Sequence, residues 1–451
     1  MPQSHQFTHS PEQLAEIAQT LLSHARALGA SGCECEVSEG QGLGVTVRKD
    51  KVETLEHNRD KGVGVSVYLG ARPHARRGHA STSDFSPAAL RSTVEAALSI
   101  ARFTAEDDCA GLPEPGLMAR SLPDLDLYHA WPITPEEAIE LARRCEAAAF
   151  AVSPKVRNSE GASVSAQHSQ FVFANSEGFI GGFPASRHML SCSVIAEDRS
   201  GMQRDDWYSA ARVPGRIADA AALGRYAAER ALARLGAQKL STRQAPVLFE
   251  APVATGLIGQ FVSAVSGGSL YRKTSFLLDS LGKRVFAPGV TIDEKPLLPS
   301  GLASSPFDEE GVATRTRPVV AAGVLEGYFL SCYSARKLGM QSTGSAGGNH
   351  NLIVQPGKRD FRGMLKEMNR GLLVTELLGQ GVNMVTGDYS RGAAGYWVEN
   401  GEIRDSVEEI TIAGNLRDMF MNIVAVGNDA VVRGSRESGS ILIENMTIAG
   451  D

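Results

Sequence analysis

Two helix-start signals of one kind, Ser10-Pro11-Glu12-Gln13 and Thr134-Pro135-Glu136-Glu137, set the tightest limit on what this chain can fold into. In each, a hydroxyl residue stands at the N-cap and proline takes the first helical position, where no N–H is needed. An amide or acid at the third helical position can then close a capping box. An apolar stripe at helical spacing follows both times: Leu14, Ile17, Ala18, Leu21, Leu22, Ala25 and Leu28 in the first, Ala138, Leu141, Ala142, Cys145, Ala148 and Ala149 in the second. Gly29 can end the first helix. What comes next also repeats. Alternating runs at Leu43–Val47, Lys51–Leu55 and Gly62–Tyr68 predict an antiparallel meander closed by a helix from Ser86-Pro87. Gln170–Ala174, Phe179–Phe183 and Met189–Ile195 predict a second meander, closed by a helix near Ile217–Leu235. The first half is therefore expected to be a duplicated helix-meander-helix unit, spanning about residues 10–108 and 133–236. Ala110–Gly116, Pro123 and Pro132 form an extended connection between the copies.

The pattern changes near Gln244. Pro246–Phe249 is a short apolar strand, and Pro252 opens a helix carrying Val253, Leu257, Ile258, Phe261, Val262 and Val265. Short, glycine-punctuated strands follow: a hairpin over Val319–Leu330, then strands around Leu352, Leu372, Tyr396, Ile410, Val431 and Ile441. Helical turns are expected around Phe361–Glu367 and Leu416–Asn422. The chain is thus α+β, with an N-terminal α+β domain over residues 1–240 and a mostly antiparallel β domain over 241–451.

At 451 residues, 43% hydrophobic and 21% charged, the chain can bury more than one core. Its net charge of -6 gives no electrostatic reason to expect nucleic acid as a partner. Met1–Gln6 has neither the basic nor the apolar region of a secretory signal, and no run approaches the ~20 apolar residues of a membrane span. A cytoplasmic location without a membrane partner is the expectation. The six cysteines fit a reducing compartment. Cys33 and Cys35 fall on one face of a strand; Cys-x-Cys without a second pair at finger spacing favours buried thiols over zinc ligands.

Other candidates give way to plainer readings. Ser266–Ser269 and Ser345–Gly348 lack the Gly-Lys-Ser/Thr ending of a phosphate loop, and turn chemistry accounts for them. Cys332, at the end of an apolar strand, has no histidine nearby in sequence and reads as a packed thiol rather than a nucleophile. His350 reads as a solvated-loop or satisfied core residue. Arg72, Arg76 and Arg77 with His74 and His79 suit a solvated hairpin end.

The tract Tyr333–Gly348 contains Ala335-Arg336-x-x-Gly339-Met340-x-x-Thr343-Gly344, and Gly323–Tyr328, Tyr396–Ile403 and Val426–Asp429 flank it in order. Val45–Thr54 and Gly78–Asp84 add less specific matches. Together these resemble, over nearly the whole chain, the TldD/PmbA (TldD/TldE) family, and most closely its PmbA or TldE branch. The family is described as modulators of DNA gyrase and as cytosolic zinc metalloproteases. The resemblance implies a heterodimer whose TldD subunit holds zinc. Its ligands would come from His-Glu-x-x-x-His, on the helix after the strand corresponding to Val247–Phe249, and from a cysteine soon after the Val-Gly-Asn-Asp tract.

In this chain Phe249 stands at the first histidine, Glu250 keeps the glutamate, Ala254 or Thr255 falls at the second histidine, and Ala430–Gly439 holds no cysteine. No metal ligand, catalytic residue or cofactor is therefore expected here, and the zinc belongs to the TldD-type partner. Glu250 remains as a carboxylate favoured at a helix N-terminus by the macrodipole. Phe249, Glu250, Ala254 and Thr255 are candidates for a peptide groove, and Gly344, Gly347 and Gly348 for a loop beside it. The implied function is that of a non-catalytic subunit that shapes the chamber and binds unfolded peptides, in an assembly that matures a peptide antibiotic precursor and degrades an antitoxin. Two alternatives are a homodimeric regulatory or binding protein without proteolytic activity and a hydrolase using Cys332.

Overall fold

Both predicted capping boxes form. Ser10 Oγ accepts from the Gln13 N–H while Gln13 accepts from the Ser10 N–H, and Thr134 and Glu137 do the same. In the computed structural model, which describes residues 7–71 and 74–450, these caps open helices α1 (Pro11–Ala27) and, later, α3 (Pro135–Phe150). Met1–Gln6, read above for a secretory signal, and Arg72 of the basic run lie outside the described residues. Strands β1 (Gly32–Arg48), β2 (Lys51–Ala71) and β3 (His74–Thr82) and helix α2 (Pro87–Phe103) complete the first unit. After α3, strands β4 (Val156–Asn175), β5 (Ile180–Asp198) and β6 (Gly201–Ala211) and helix α4 (Ala220–Ala233) complete the second.

The strands run much longer than the alternation predicted, and in each unit two expected strands are one. Glu56–Lys61 reads as a turn because it is polar on both faces, yet it continues β2, paired with β1 residue by residue. Pro184–Arg187 likewise continues β5. Proline is tolerated there because β6 pairs only from His188 onward, so Pro184 has no outer neighbour asking for an N–H.

The two units are halves of one sheet, ordered β3-β2-β1-β4-β5-β6, joined by antiparallel pairing of β1 with β4. Helices α1 and α2 bury Cys33, Cys35, Val37 and Val65 on one half. Helices α3 and α4 bury Val45 and Val47 of β1 together with Val164 and Cys192 of the second unit, so each copy completes the other's core. Burial raises the Cys35 thiol pKa and pushes that of Cys33 up to about 12, as suits packed thiols.

The C-terminal part begins with β7 (Arg243–Phe249), α5 (Ala251–Ala264) and α6 (Gly267–Tyr271). There follow β8 (Ile292–Glu294), β9 (Arg317–Ala321), β10 (Val324–Leu325), α7 (Cys332–Leu338), β11 (Leu352–Val354) and α8 (Phe361–Met368). The chain ends with β12 (Gly371–Leu378), β13 (Asp388–Glu399), β14 (Glu402–Asn415), α9 (Leu416–Met421), β15 (Ile423–Val426), β16 (Val431–Arg433), β17 (Arg436–Ser438) and β18 (Ile441–Ala449). One sheet is ordered β10-β9-β8-β11-β17-β16. The other is β14-β13-β12-β7-β18-β15, and it curls until β14 also pairs with β18. Pairing is antiparallel except for β7 with β12 and β11 with β17. Two short helices depart from expectation. Gly267-Gly268 opens α6 rather than a loop, and Cys332 opens α7 rather than ending a strand, because Ser331 caps it through Ser334.

The connection between the units is pinned to the C-terminal domain by α7. Arg336 donates to the carbonyls of Cys109 (3.2 Å), Gly111 (2.9 Å) and Leu112 (2.6 Å) and to Glu114 (2.9 Å). Tyr333 and Lys337 hold Asp107 at 2.7 and 3.0 Å, and Gly339, left-handed at φ 66°, ends the helix. The most specific tract in the sequence is thus an interdomain clasp.

Candidate functional site

The strand-to-helix step from β7 to α5 fixes the four positions singled out from the sequence. Phe249 and Ala254 are fully enclosed in the C-terminal core, with no exposed surface. Thr255 is buried and spends its hydroxyl on the Pro252 carbonyl at 2.7 Å. Glu250 is the N-cap of α5 without capping it. Its carboxylate turns instead to Arg230 of α4, which donates at 2.8 and 3.2 Å. Burial raises the Glu250 pKa against the opposing pull of Arg230.

Arg230 also donates to Asp205 of β6 at 3.1 Å, and Arg234 joins Asp205 (3.7 Å) to Glu376 of β12 (2.6 Å). The guanidinium of Arg230 lies 5.1 Å from the Trp207 ring, and that of Arg433 lies 4.7 Å from Trp207 and 4.0 Å from Tyr208. Edge strand β6 of the N-terminal sheet and edge strand β16 of the C-terminal domain thus meet through stacked aromatic and guanidinium groups.

The segment after Val426–Asp429 does come to α5. Arg436 of β17 donates to the Thr255 carbonyl at 3.1 Å, and its guanidinium fills the space a side chain at Gly259 would need. Where a metal would require three donors, the residues present are phenyl, methyl, an engaged hydroxyl and a guanidinium. Among the described residues no group of three His, Cys, Asp or Glu side chains is placed to hold a metal ion. The site does not fit zinc.

Beside the β6–β16 contact a cavity of about 350 Å³ opens between the domains, lined in part by Ala211, Arg212, Leu298, Leu302, Val432 and Arg436. Arg212 is buried and donates to the carbonyls of Gly301, Ser186 and Leu302 at 2.8, 3.1 and 3.0 Å. Burial and nearby Arg187 pull its pKa down to about 10.

The glycine loop lies elsewhere. Gly344 and Gly347 take positive φ and pack against the Ala313 carbonyl and Glu309, while Gly348 is open. The loop is tied to Leu330 and Asp308, next to Phe329, which bonds Val265 at the C-terminal end of α5. A 14-residue helix is about 21 Å long, so the loop and Glu250 belong to opposite ends of α5 and do not form one site.

Around that loop carboxylates gather beside β1 and β4 of the N-terminal sheet. Burial pushes Asp308 up to about 6 and Glu310 up to about 7. Glu310 accepts the Cys332 N–H at 2.7 Å, and burial together with this carboxylate raises the thiol pKa well above its ordinary value. A buried thiol whose pKa is raised is a poor nucleophile. His350 is a satisfied core residue: its N–H and Nδ1 both meet Glu294, at 2.9 and 3.1 Å, and Arg317 holds the other oxygen at 2.8 Å.

Sequence reasoning missed Asp205, Arg230, Arg433 and Arg436, whose partners are distant in the chain. One local signal was present: Gly256 and Gly259 in the middle of a helix, the second marking the close approach of another group.

Sequence models of the PmbA/TldA metallopeptidase match this chain at residues 33–101 (domain 1), 128–235 (central domain) and 242–450 (C-terminal domain). The metalloprotease PmbA of Escherichia coli O157:H7 is 49% identical over 437 residues, covering 97% of this chain and 96% of that protein. The PmbA homologue of Haemophilus influenzae is 46% identical over 441 residues, covering 98% and 97%. Among solved structures, TldE from Thermococcus kodakarensis superposes with a TM-score of 0.85, covering 96% of this chain and 100% of that one; at 21% identity this speaks for the fold alone. Its three matched domains and near-complete alignment with PmbA make this chain a member of the PmbA/TldD metallopeptidase family, on the PmbA side.

Proposed function

We propose that this chain is the non-catalytic subunit of a cytoplasmic, two-component TldD-TldE-type metallopeptidase, pairing with a zinc-bearing TldD-type chain and holding unfolded peptide in extended form. The observation that carries this reading is the meeting of α5 and β17, where Phe249, Ala254, Thr255 and Arg436 leave no donor set for a metal. Peptide binding is supported by the cavity of about 350 Å³ beside the contact of β6 and β16, each the outermost strand of its sheet. Strand addition there would fix a peptide by its backbone whatever its sequence, as a processing or degrading enzyme needs. Maturation of a peptide antibiotic precursor and degradation of an antitoxin are the substrate classes this reading carries.

The test is direct. A fluorescently labelled unfolded peptide should bind the isolated chain and remain intact, and Val432→Pro, on the exposed edge of β16, should weaken binding at least tenfold. Cleavage by the isolated chain, or binding indifferent to Val432→Pro, would contradict the proposal.

A further inference from the structure

The cavity beside the β6–β16 contact carries unbalanced charge. Arg212, Arg216 and Arg436 line it against one carboxylate, Glu437, which among the described residues forms no ion pair with any of them. A charge held away from water is costly unless a group of opposite sign meets it. Arg212, just past the end of β6, is buried and meets only carbonyls: besides those of Gly301, Ser186 and Leu302, Nη1 reaches that of Leu127 at 3.5 Å. Each of its three nitrogens is engaged, so it gives the cavity positive charge more than donors.

Arg436 is the reverse case. Its Nη1 donates to the Thr255 carbonyl, but its Nε is shielded from water and has no hydrogen-bond partner. Burial lowers its pKa, and no carboxylate offsets that pull. An unmade bond on a charged donor costs free energy that an acceptor from a ligand would recover. Arg216 stands exposed at the rim, in no ion pair among the described residues. Asp126 is near enough to feel its charge, but that carboxylate is already held by Ser300 Oγ at 2.6 Å and His129 at 3.2 Å. Apolar walls from Leu298, Leu302 and Val432 strengthen any pairing made inside. Guanidinium forks match the geometry of a carboxylate. Val432 also belongs to the outermost strand β16, so a chain added along that strand comes to the arginines.

We infer that this cavity takes a carboxylate of the bound peptide, its C-terminal group or an acidic side chain, with Arg436 and Arg216 as donors and Arg212 as the buried counter-charge. The inference rests on the peptide binding proposed above and adds to it a preference for anionic peptide.

The experiment compares three forms of one short, unfolded, N-terminally dansylated peptide, binding to the full chain by fluorescence. One form is an uncharged C-terminal amide, one has a free C-terminal carboxylate, and one is the amide with a single Gln changed to Glu. At least one of the two acids should bind about tenfold tighter than the uncharged amide, and which one does identifies the source of the carboxylate. Arg436→Gln should abolish that advantage, and Arg216→Gln, at an exposed side chain that the fold does not use, should reduce it severalfold. Equal affinity for all three forms would overturn the inference while leaving peptide binding intact. An advantage that survives Arg216→Gln undiminished would overturn its assignment to this cavity, and binding of none of the three would overturn the peptide-binding reading as well.

Discussion

Arg436 of β17 donates from Nη1 to the Thr255 carbonyl of α5 at 3.1 Å, joining the two segments from which the catalytic branch of the family is expected to draw its metal ligands. Where the two segments meet, the side chains present are a phenyl, a methyl, an engaged hydroxyl and a guanidinium. A guanidinium over Gly259 places fixed positive charge beside the helix without an open coordination position.

The Arg230–Glu250 pair holds the second N-terminal unit to the C-terminal domain, with both side chains largely out of water. Removing one partner strands the other charge. Arg230→Ala should lower unfolding stability by about 3–5 kcal/mol, read from urea denaturation. Glu250→Gln keeps an acceptor and should cost less. Equal, small losses for both would mean that the pair does not hold the domains together.

Arg336 is the main clasp of the connection. Arg336→Ala removes its bonds to Cys109, Gly111, Leu112 and Glu114, and residues 104–134 should become the first site of limited proteolysis while the β-rich C-terminal part stays resistant. Unchanged cleavage kinetics in that stretch would argue against the clasp.

The Glu310 carboxyl is raised to about 7, above its ordinary value of 4.5. A carboxyl with a folded pKa above its unfolded value costs nothing while protonated in both states, and the penalty grows as pH rises through the folded value. Glu310→Gln still accepts the Cys332 N–H. It should leave thermal stability at pH 5 nearly unchanged and raise it at pH 8 by on the order of 3 kcal/mol. A variant less stable than the parent at pH 8 would contradict the buried-carboxylate account.

Burial and the Glu310 carboxylate raise the Cys332 thiol pKa. Cys332→Ala should leave peptide cleavage by a complex with a TldD-type subunit within twofold of the parent, measured with a fluorogenic peptide. Abolished cleavage with the complex still assembled would revive the thiol as a nucleophile.

Helix starts were legible in the sequence because capping is local: Ser10 with Gln13 and Thr134 with Glu137 carry the whole signal within four residues. The extent of β2 was not, because Glu56–Lys61 lacks a buried face and so shows no alternation. The start of α7 at Cys332 was hidden by its length, one and a half turns behind an apolar run. At the site, the positions Phe249, Glu250, Ala254 and Thr255 were readable once the flanking tracts suggested the alignment. The residues that surround them were not. Arg230, Asp205 and Arg436 act on Glu250 and Thr255 across long sequence separations, and only the fold brings them together.

Metal content measured together with peptide hydrolysis, on the purified chain alone and after mixing with a TldD-type subunit, tests the central claim most directly. The account predicts no stoichiometric zinc and no cleavage from the chain alone, and both in the mixture; zinc-dependent cleavage by the chain alone would contradict it.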